Sequence, residues 1–289
     1  MAKVKDGFRV KFWGVRGSIA APGSEYVKYG GNTSCVSLEL PGDQLFVFDA
    51  GSGIKELSNS LDRDRALTGK IFISHPHWDH ISAIPFFAPL YVAGNELEIL
   101  GAAQGKLSVH DLISAQMDGV YFPITMKEFA AQIAFRDLGE GSYRVGGAEV
   151  STMFLCHPGS CLGYRVSYEG RTICYATDNE LFLPSSRKYS EEYFVRLADF
   201  VRGADVLITD STYLDEEYLD KEGWGHSCIS RVANLAHRAE VRTLFLFHHD
   251  PDQTDEDIDR KHEICVRLLE ERGSATECVA PKEGDDFVL

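Results

Sequence analysis

The sequence predicts an α/β fold in one domain, on three observations. Apolar, β-branched runs of strand length alternate with longer segments of helical periodicity. Five of those runs end in a His or an Asp. No repeat, charge block or linker interrupts the 289 residues, so a single domain over 1–289 is expected.

Composition narrows the class. Hydrophobic residues make up 44%, enough for a real core, and the formal charge of −15 repels polyanions at long range. No run approaches the ~18 apolar residues of a membrane span. Met1–Val10 carries Lys3, Lys5 and Arg9 but no apolar stretch of a secretory signal. The seven cysteines form no C-x-x-C pair, which reads as reduced thiols in a cytoplasmic protein.

Taken in order, Phe8–Trp13 alternates as a strand and runs into Gly14-Val15-Arg16-Gly17-Ser18, then Tyr29-Gly30-Gly31-Asn32-Thr33-Ser34-Cys35. The first loop is no nucleotide fingerprint. It serves tight turns or brings backbone close to a ligand, with Arg16 as a substrate-binding anion anchor. Val36–Leu40 and Leu45–Phe48 form a hairpin around Pro41-Gly42-Asp43, and Ile54–Leu61 starts a helix after Asp49 and a Gly-rich turn.

Lys70–Ser74 is a buried strand that delivers His75-Pro76-His77-Trp78-Asp79-His80. Pro76 bars a regular helix and favours extended backbone before it, so the strand gives way to a turn holding four ligand types. His75 and His77 suit one metal, Asp79 and His80 a second. The bland alternative is a polar His-rich loop.

This motif at a strand end resembles the signature of the metallo-β-lactamase superfamily, and the resemblance covers nearly the whole chain. It implies a four-layer αβ/βα sandwich of two mixed sheets flanked by helices, with one or two metals at the sheet edges. It also implies that Asp49, in an Asp-x-Gly, supports the site rather than ligating.

Between Ile81 and Asp137 the expected elements are a strand near Leu97–Leu100 and helices at Leu107–Gln116 and Met126–Ala131. Frequent aromatics there suit ordinary core or a lid or pocket wall over residues 81–137. Beyond it, strands are expected at Ala148–Leu155, Cys161–Ser167, Thr172–Ala176, Val206–Thr209 and Thr243–Phe247. Helices are expected at Glu191–Arg202, Ile229–Arg238 and Asp255–Glu271, the last opening on acids that favour its dipole.

The strand ends carry the chemistry. Apolar runs end in His75, His157, Asp178, Asp210 and His248. Open α/β sheets place ligands at such carboxyl ends. His75, His77 and His157 give one metal three imidazoles; Asp79, His80 and His248 serve a second; Asp178 bridges them. The family pattern implies the same assignment. Two divalent ions follow, zinc on this nitrogen and oxygen set, with manganese or iron as alternatives.

The resemblance also selects a branch. Lactamases of the major class carry Cys where Asp178 stands, and flavodiiron proteins carry an acid where His77 stands. Leu207–Tyr213 followed by Gly223-Trp224-Gly225-His226-Ser227 is similar to ribonuclease Z, with Asp210 in place of a Glu and Cys228 in place of a Thr. The implied catalytic residues are Asp79, Asp210 and His226, with His226 also touching substrate. A plainer role for this segment is a helix-capping loop, with Ser227 as cap.

Ribonuclease Z carries a basic arm that grips tRNA. Here residues 81–137 hold three Lys or Arg (Lys106, Lys127, Arg136) against six acids. The expected activity is therefore phosphodiesterase hydrolysis of a small nucleotide, cyclic nucleotides included, by attack of a metal-bridging hydroxide. The alternatives are a tRNA 3′-processing endonuclease and a metal-dependent sensor without turnover. No membrane partner is expected, and a homodimer is left open.

Overall fold

The computed structural model describes residues 8–62 and 64–289. The N-terminal residues 1–7, where no secretory signal is expected, lie outside them. Two compact units assemble from non-contiguous chain: Gly30–Gly139 and Lys282–Leu289 with the described part of Met1–Ala20, and Ala21–Tyr29 with Glu140–Pro281.

The first unit is built on a seven-stranded sheet. Its strands are β1 (Arg9–Gly14), β2 (Cys35–Leu40), β3 (Gln44–Phe48), β4 (Thr68–Ile73), β5 (Glu96–Gly101), β6 (Gln132–Asp137) and, from the chain end, β14 (Asp286–Val288). The order is β14-β1-β2-β3-β4-β5-β6. Pairing is antiparallel from β14 to β3 and parallel from β3 to β6. The helices are α1 (Ile54–Ser60), α2 (Trp78–Ile81) and α3 (Val109–Ala115). Strand alternation sorts the core: Val47, Ile71 and Ile73 pack with Ile54 and Leu57 of α1, while Phe46, Phe48 and Phe72 cluster on the other face. Both faces of β4 are thus buried, which is why it reads as a continuous apolar run.

The second unit holds β7 (Gly141–Val145), β8 (Ala148–Phe154), β9 (Leu162–Tyr168), β10 (Arg171–Ala176), β11 (Val206–Asp210), β12 (Thr243–Phe247) and β13 (Glu277–Val279), in the order β13-β12-β11-β10-β9-β8-β7. β7 to β10 pair antiparallel, β10 to β13 parallel. Its helices are α4 (Glu191–Val201), α5 (Asp215–Tyr218), α6 (Ile229–Arg238) and α7 (Asp255–Glu271). Leu207, Leu244 and Leu246 pack with Leu197 of α4, Val232 of α6 and Cys265 of α7. Ser190 caps α4, and Thr254 with Asp257 forms a capping box on α7. Two mixed sheets flanked by helices are the fold class expected from the sequence.

The structure differs from expectation between Ile81 and Asp137. That segment adds to the first sheet β5, at the strand expected near Leu97–Leu100, and β6, which was not expected. β6 escapes a sequence reading because it is an edge strand, with no residue of Gln132–Asp137 fully buried. Met126–Ala131 makes only a 3₁₀ turn, Met126–Glu128. The Ala130 and Ala131 amides both donate to the Leu90 carbonyl, which draws the chain off a helical path. An exposed stretch remains around Val120 and Tyr121.

Candidate metal centre

In the first unit, β4 ends at Ile73 and His77 caps the short α2 in extended conformation, after Pro76. His75 Nε2 and His77 Nδ1 stand 2.8 Å apart, two ring nitrogens converging on one point. His80, fully buried, bonds through Nδ1 to Asp49 Oδ2 at 2.7 Å. Its Nε2 faces Asp79 Oδ2 at 3.1 Å, and that oxygen also accepts the Ser18 amide. Asp49 accepts the Ser74 amide on Oδ1 and the Ser74 hydroxyl on Oδ2, and its φ of 58° turns the chain sharply off β3. A carboxylate on Nδ1 fixes the tautomer that leaves Nε2 as a ligand. Asp49 is therefore placed as a support, as the resemblance implied.

In the second unit, β8, β10, β11 and β12 run parallel to one another, so their carboxyl ends share one sheet edge. His157 Nδ1 donates to the Gly225 carbonyl at 2.9 Å, which again leaves Nε2 outward, 3.7 Å from Asp178 Oδ2. The other oxygen of Asp178 stands 3.2 Å from His248 Nε2. One carboxylate thus presents one oxygen to each of two imidazoles. Asp178 and His248 both have positive φ, 50° and 61°, the corner that lifts each side chain off its strand end.

Asp210, the last residue of β11, is fully buried. Its Oδ2 lies 2.7 Å from His226 Nδ1 and accepts the Asn179 amide; its Oδ1 accepts the Thr212 amide and hydroxyl. Burial would raise this carboxyl, but the His226 imidazole outweighs it, with His248 adding, and holds it below the usual carboxylate range. The His226 and His248 rings stack with centroids 4.9 Å apart. Asp210, His226 and His248 could themselves hold a cation.

Two sequence readings change. Arg16 is fully buried, and its Nε donates to the Gly30 carbonyl at 3.0 Å. It ties one Gly-rich loop to the other from beneath, so it is a strut and not a substrate anchor. Ser227 does not cap α6, whose N-cap is Cys228; its hydroxyl donates to the Asn179 carbonyl and accepts the Leu181 amide. Thr212, Asn179 and Glu180 were not foreseen, because their bonds run largely to backbone that sequence does not display.

The donor set is imidazole nitrogen and carboxylate oxygen, and all seven cysteines are free thiols. Paired ring nitrogens and a carboxylate opened toward two imidazoles suit divalent cations. Residues 45–249 match the beta-lactamase superfamily domain. Ribonuclease Z of Prochlorococcus marinus (strain MIT 9515) is 25% identical over 271 residues, spanning 78% of this chain and 85% of the relative. Among solved structures, the metallo-beta-lactamase fold protein YhfI from Bacillus subtilis has a TM-score of 0.69 at 18% identity, over 98% of this chain and 100% of that one. A diphosphatase from the PhnP family has a TM-score of 0.66 at 16% identity, over 97% of each chain. The domain match spans most of the sequence and the ligand types stand at its strand ends, so the protein belongs to the beta-lactamase superfamily, as a metallo-hydrolase resembling the ribonuclease Z branch.

Proposed function

We propose that the protein is a dinuclear-metal phosphodiesterase acting on a small nucleotide phosphodiester, cyclic nucleotides included. His75, His77 and His157 would hold one cation and Asp79, His80 and His248 the other, with Asp178 shared. Zinc is the expected ion. When bound, the cations supply Lewis acidity toward the phosphoryl oxygens and an activated water.

The observation that carries the reading is the His226–Asp210 pair beside His248. The buried carboxylate holds Nδ1, and the imidazole remains partly open to solvent, with 12% of its side chain exposed. Such a pair keeps a proton on Nδ1 and lets Nε2 pass a second to a leaving oxygen, as general acids do. Asp210 stays ionised in that role and stabilises the imidazolium.

A second reading, tRNA 3′ processing, is favoured by the ribonuclease Z relatives, whose similarity spans most of both chains. The acidic balance of the whole chain and of residues 81–137 weighs against it. Turnover of bis(p-nitrophenyl) phosphate by the zinc-loaded protein is the first test. A panel of cyclic nucleotides, tRNA precursors and lactams follows. Hydrolysis of cyclic nucleotides with no cleavage of tRNA precursors is expected; the reverse pattern replaces the first reading by the second. Full metal content with no hydrolysis would return a sensor.

A further inference from the structure

Glu180 is a buried carboxylate, 2% exposed, that takes part in none of the chemistry above. A buried charge of this kind needs donors. Its Oε1 accepts the Tyr218 hydroxyl at 2.8 Å and the Gly223 amide at 2.6 Å. Its Oε2 accepts the Gly225 amide at 2.8 Å. The two glycines have φ of +94° and +92°, which lets the loop curl so that both amides point at one side chain. A Cβ on Gly225 would lie 2.4 Å from His157 Nδ1, so the loop runs directly against that ring.

Two things depend on where this loop sits. The Gly225 carbonyl accepts from His157 Nδ1, and so fixes which nitrogen of His157 is offered to a cation. The next residue is His226, whose Nδ1 meets Asp210. The backbone of Glu180 is itself anchored, its amide donating to the Cys156 carbonyl one residue before His157.

We propose that Glu180 is the positioning residue of the site: its carboxylate clamps the Gly223–Gly225 loop and thereby sets both the His157 tautomer and the placement of His226. The inference rests on the reading of His157 as a ligand and His226 as the acid, but part of its test is independent of turnover.

The variant is Glu180→Gln, the same shape with one oxygen replaced by a donor. The amide nitrogen must then face an N–H or O–H donor, so one end of the clamp opens. In the zinc-loaded protein, amide exchange at Gly223 and Gly225 should rise while β10, β11 and β12 keep their protection. Zinc affinity, measured by chelator competition, should fall about 10–100-fold, the usual effect of removing an outer partner of a ligand. At saturating zinc, kcat should fall more for a phosphodiester with a poor leaving group than for a nitrophenyl ester, with KM little changed. Adding Glu180→Gln to His226→Ala should cost little further kcat, because both act through one side chain.

Tyr218→Phe keeps both glycine bonds and should retain zinc affinity; loss equal to that of Glu180→Gln would overturn the proposal. Glu180→Asp covers the case in which the glutamine variant does not fold. It keeps the charge but is one carbon short of spanning both amides, and should show the same exchange and zinc signature. Wild-type zinc affinity and wild-type protection of Gly223 and Gly225 in a folded Glu180 variant would overturn the proposal. If the wild type hydrolyses no phosphodiester, the function fails while the exchange and zinc measurements still decide the role of Glu180.

Discussion

Asp178 divides its two oxygens between His157 and His248 from a left-handed backbone corner. Asp178→Ala should therefore reduce bound metal from two per chain to well below one, measured by elemental analysis, while circular dichroism shows the fold retained. Near-normal content would mean Asp178 is no bridge. His226 stands outside the ligand count, so His226→Ala should keep both metals and lower kcat by about 10²–10⁴-fold. The loss should shrink for a p-nitrophenyl ester, which leaves without a proton. Metal lost along with activity would make His226 a ligand. At this scale the candidate ligands were most legible in the sequence where they are contiguous, as in His75–His80, or end an apolar run, as at His157, Asp178 and His248. Arg16 misled because a cation in a Gly-rich loop looks alike whether it faces solvent or is sealed beneath the loop. Glu180 was silent because its partners are mostly amides.

The turn from Asp49 to Gly53 is the element that carries the support into place. The Ala50 amide donates to the His80 carbonyl, and the Ala83 amide returns a bond to the Ala50 carbonyl, so turn and α2 are laced together. A Cβ on Gly51 would lie 2.1 Å from the Asp79 carbonyl oxygen, a backbone atom with no freedom to yield. Gly51→Ala should destabilise the protein by about 1–3 kcal/mol in denaturant titration and weaken metal binding as well. A second element, residues 21–29, is held on α7: Asp255 accepts the Lys28 and Tyr29 amides, and Asp259 accepts Lys28 Nζ and the Tyr29 hydroxyl. Burial would raise Asp259, but the bonds from Lys28 and Tyr29 hold it below its usual range. A depressed carboxylate stabilises above its ordinary value near ~3.9 and loses that contribution as pH falls through its lower folded value. The bonds from Lys28 Nζ and the Tyr29 hydroxyl to Asp259 should thus weaken below about pH 4 and recover on return to neutrality, read from the side-chain NMR shifts of Lys28 and Tyr29; the effect should be modest because Lys28 and Asp259 are well exposed. Elements with full periodicity were legible almost to the residue, as α6 and α7 show. β6 and the three-residue β13 and β14 were not, because short edge strands bury too little to imprint a pattern.

For the molecule as a whole, the charge of −15 makes two divalent cations a substantial neutralisation. Ligands that bind only the folded state add stability, ~2.7 kcal/mol at a hundredfold excess over Kd. A strong chelator should therefore lower Tm by several degrees, and zinc should restore it; an unchanged Tm would argue against a resident metal. The α/β class was legible from the alternation of runs, and no transmembrane candidate exists among the helices of the described residues. The division into two compact units was not, because each is stitched from distant segments. The crowding of His75, His77, Asp79 and His80 into six residues has one more consequence. His157, Asp178 and His248, by contrast, stand at the ends of β8, β10 and β12, with His248 more than 170 residues further along the chain. The hexapeptide needs no sheet. If its four side chains bind a cation as proposed, they would do so in the unfolded chain as well, and zinc titration of a synthetic peptide spanning residues 75–80 would measure that affinity. Affinity for the unfolded chain subtracts from the stability an ion confers, so such binding would limit how firmly the ion locks the finished fold.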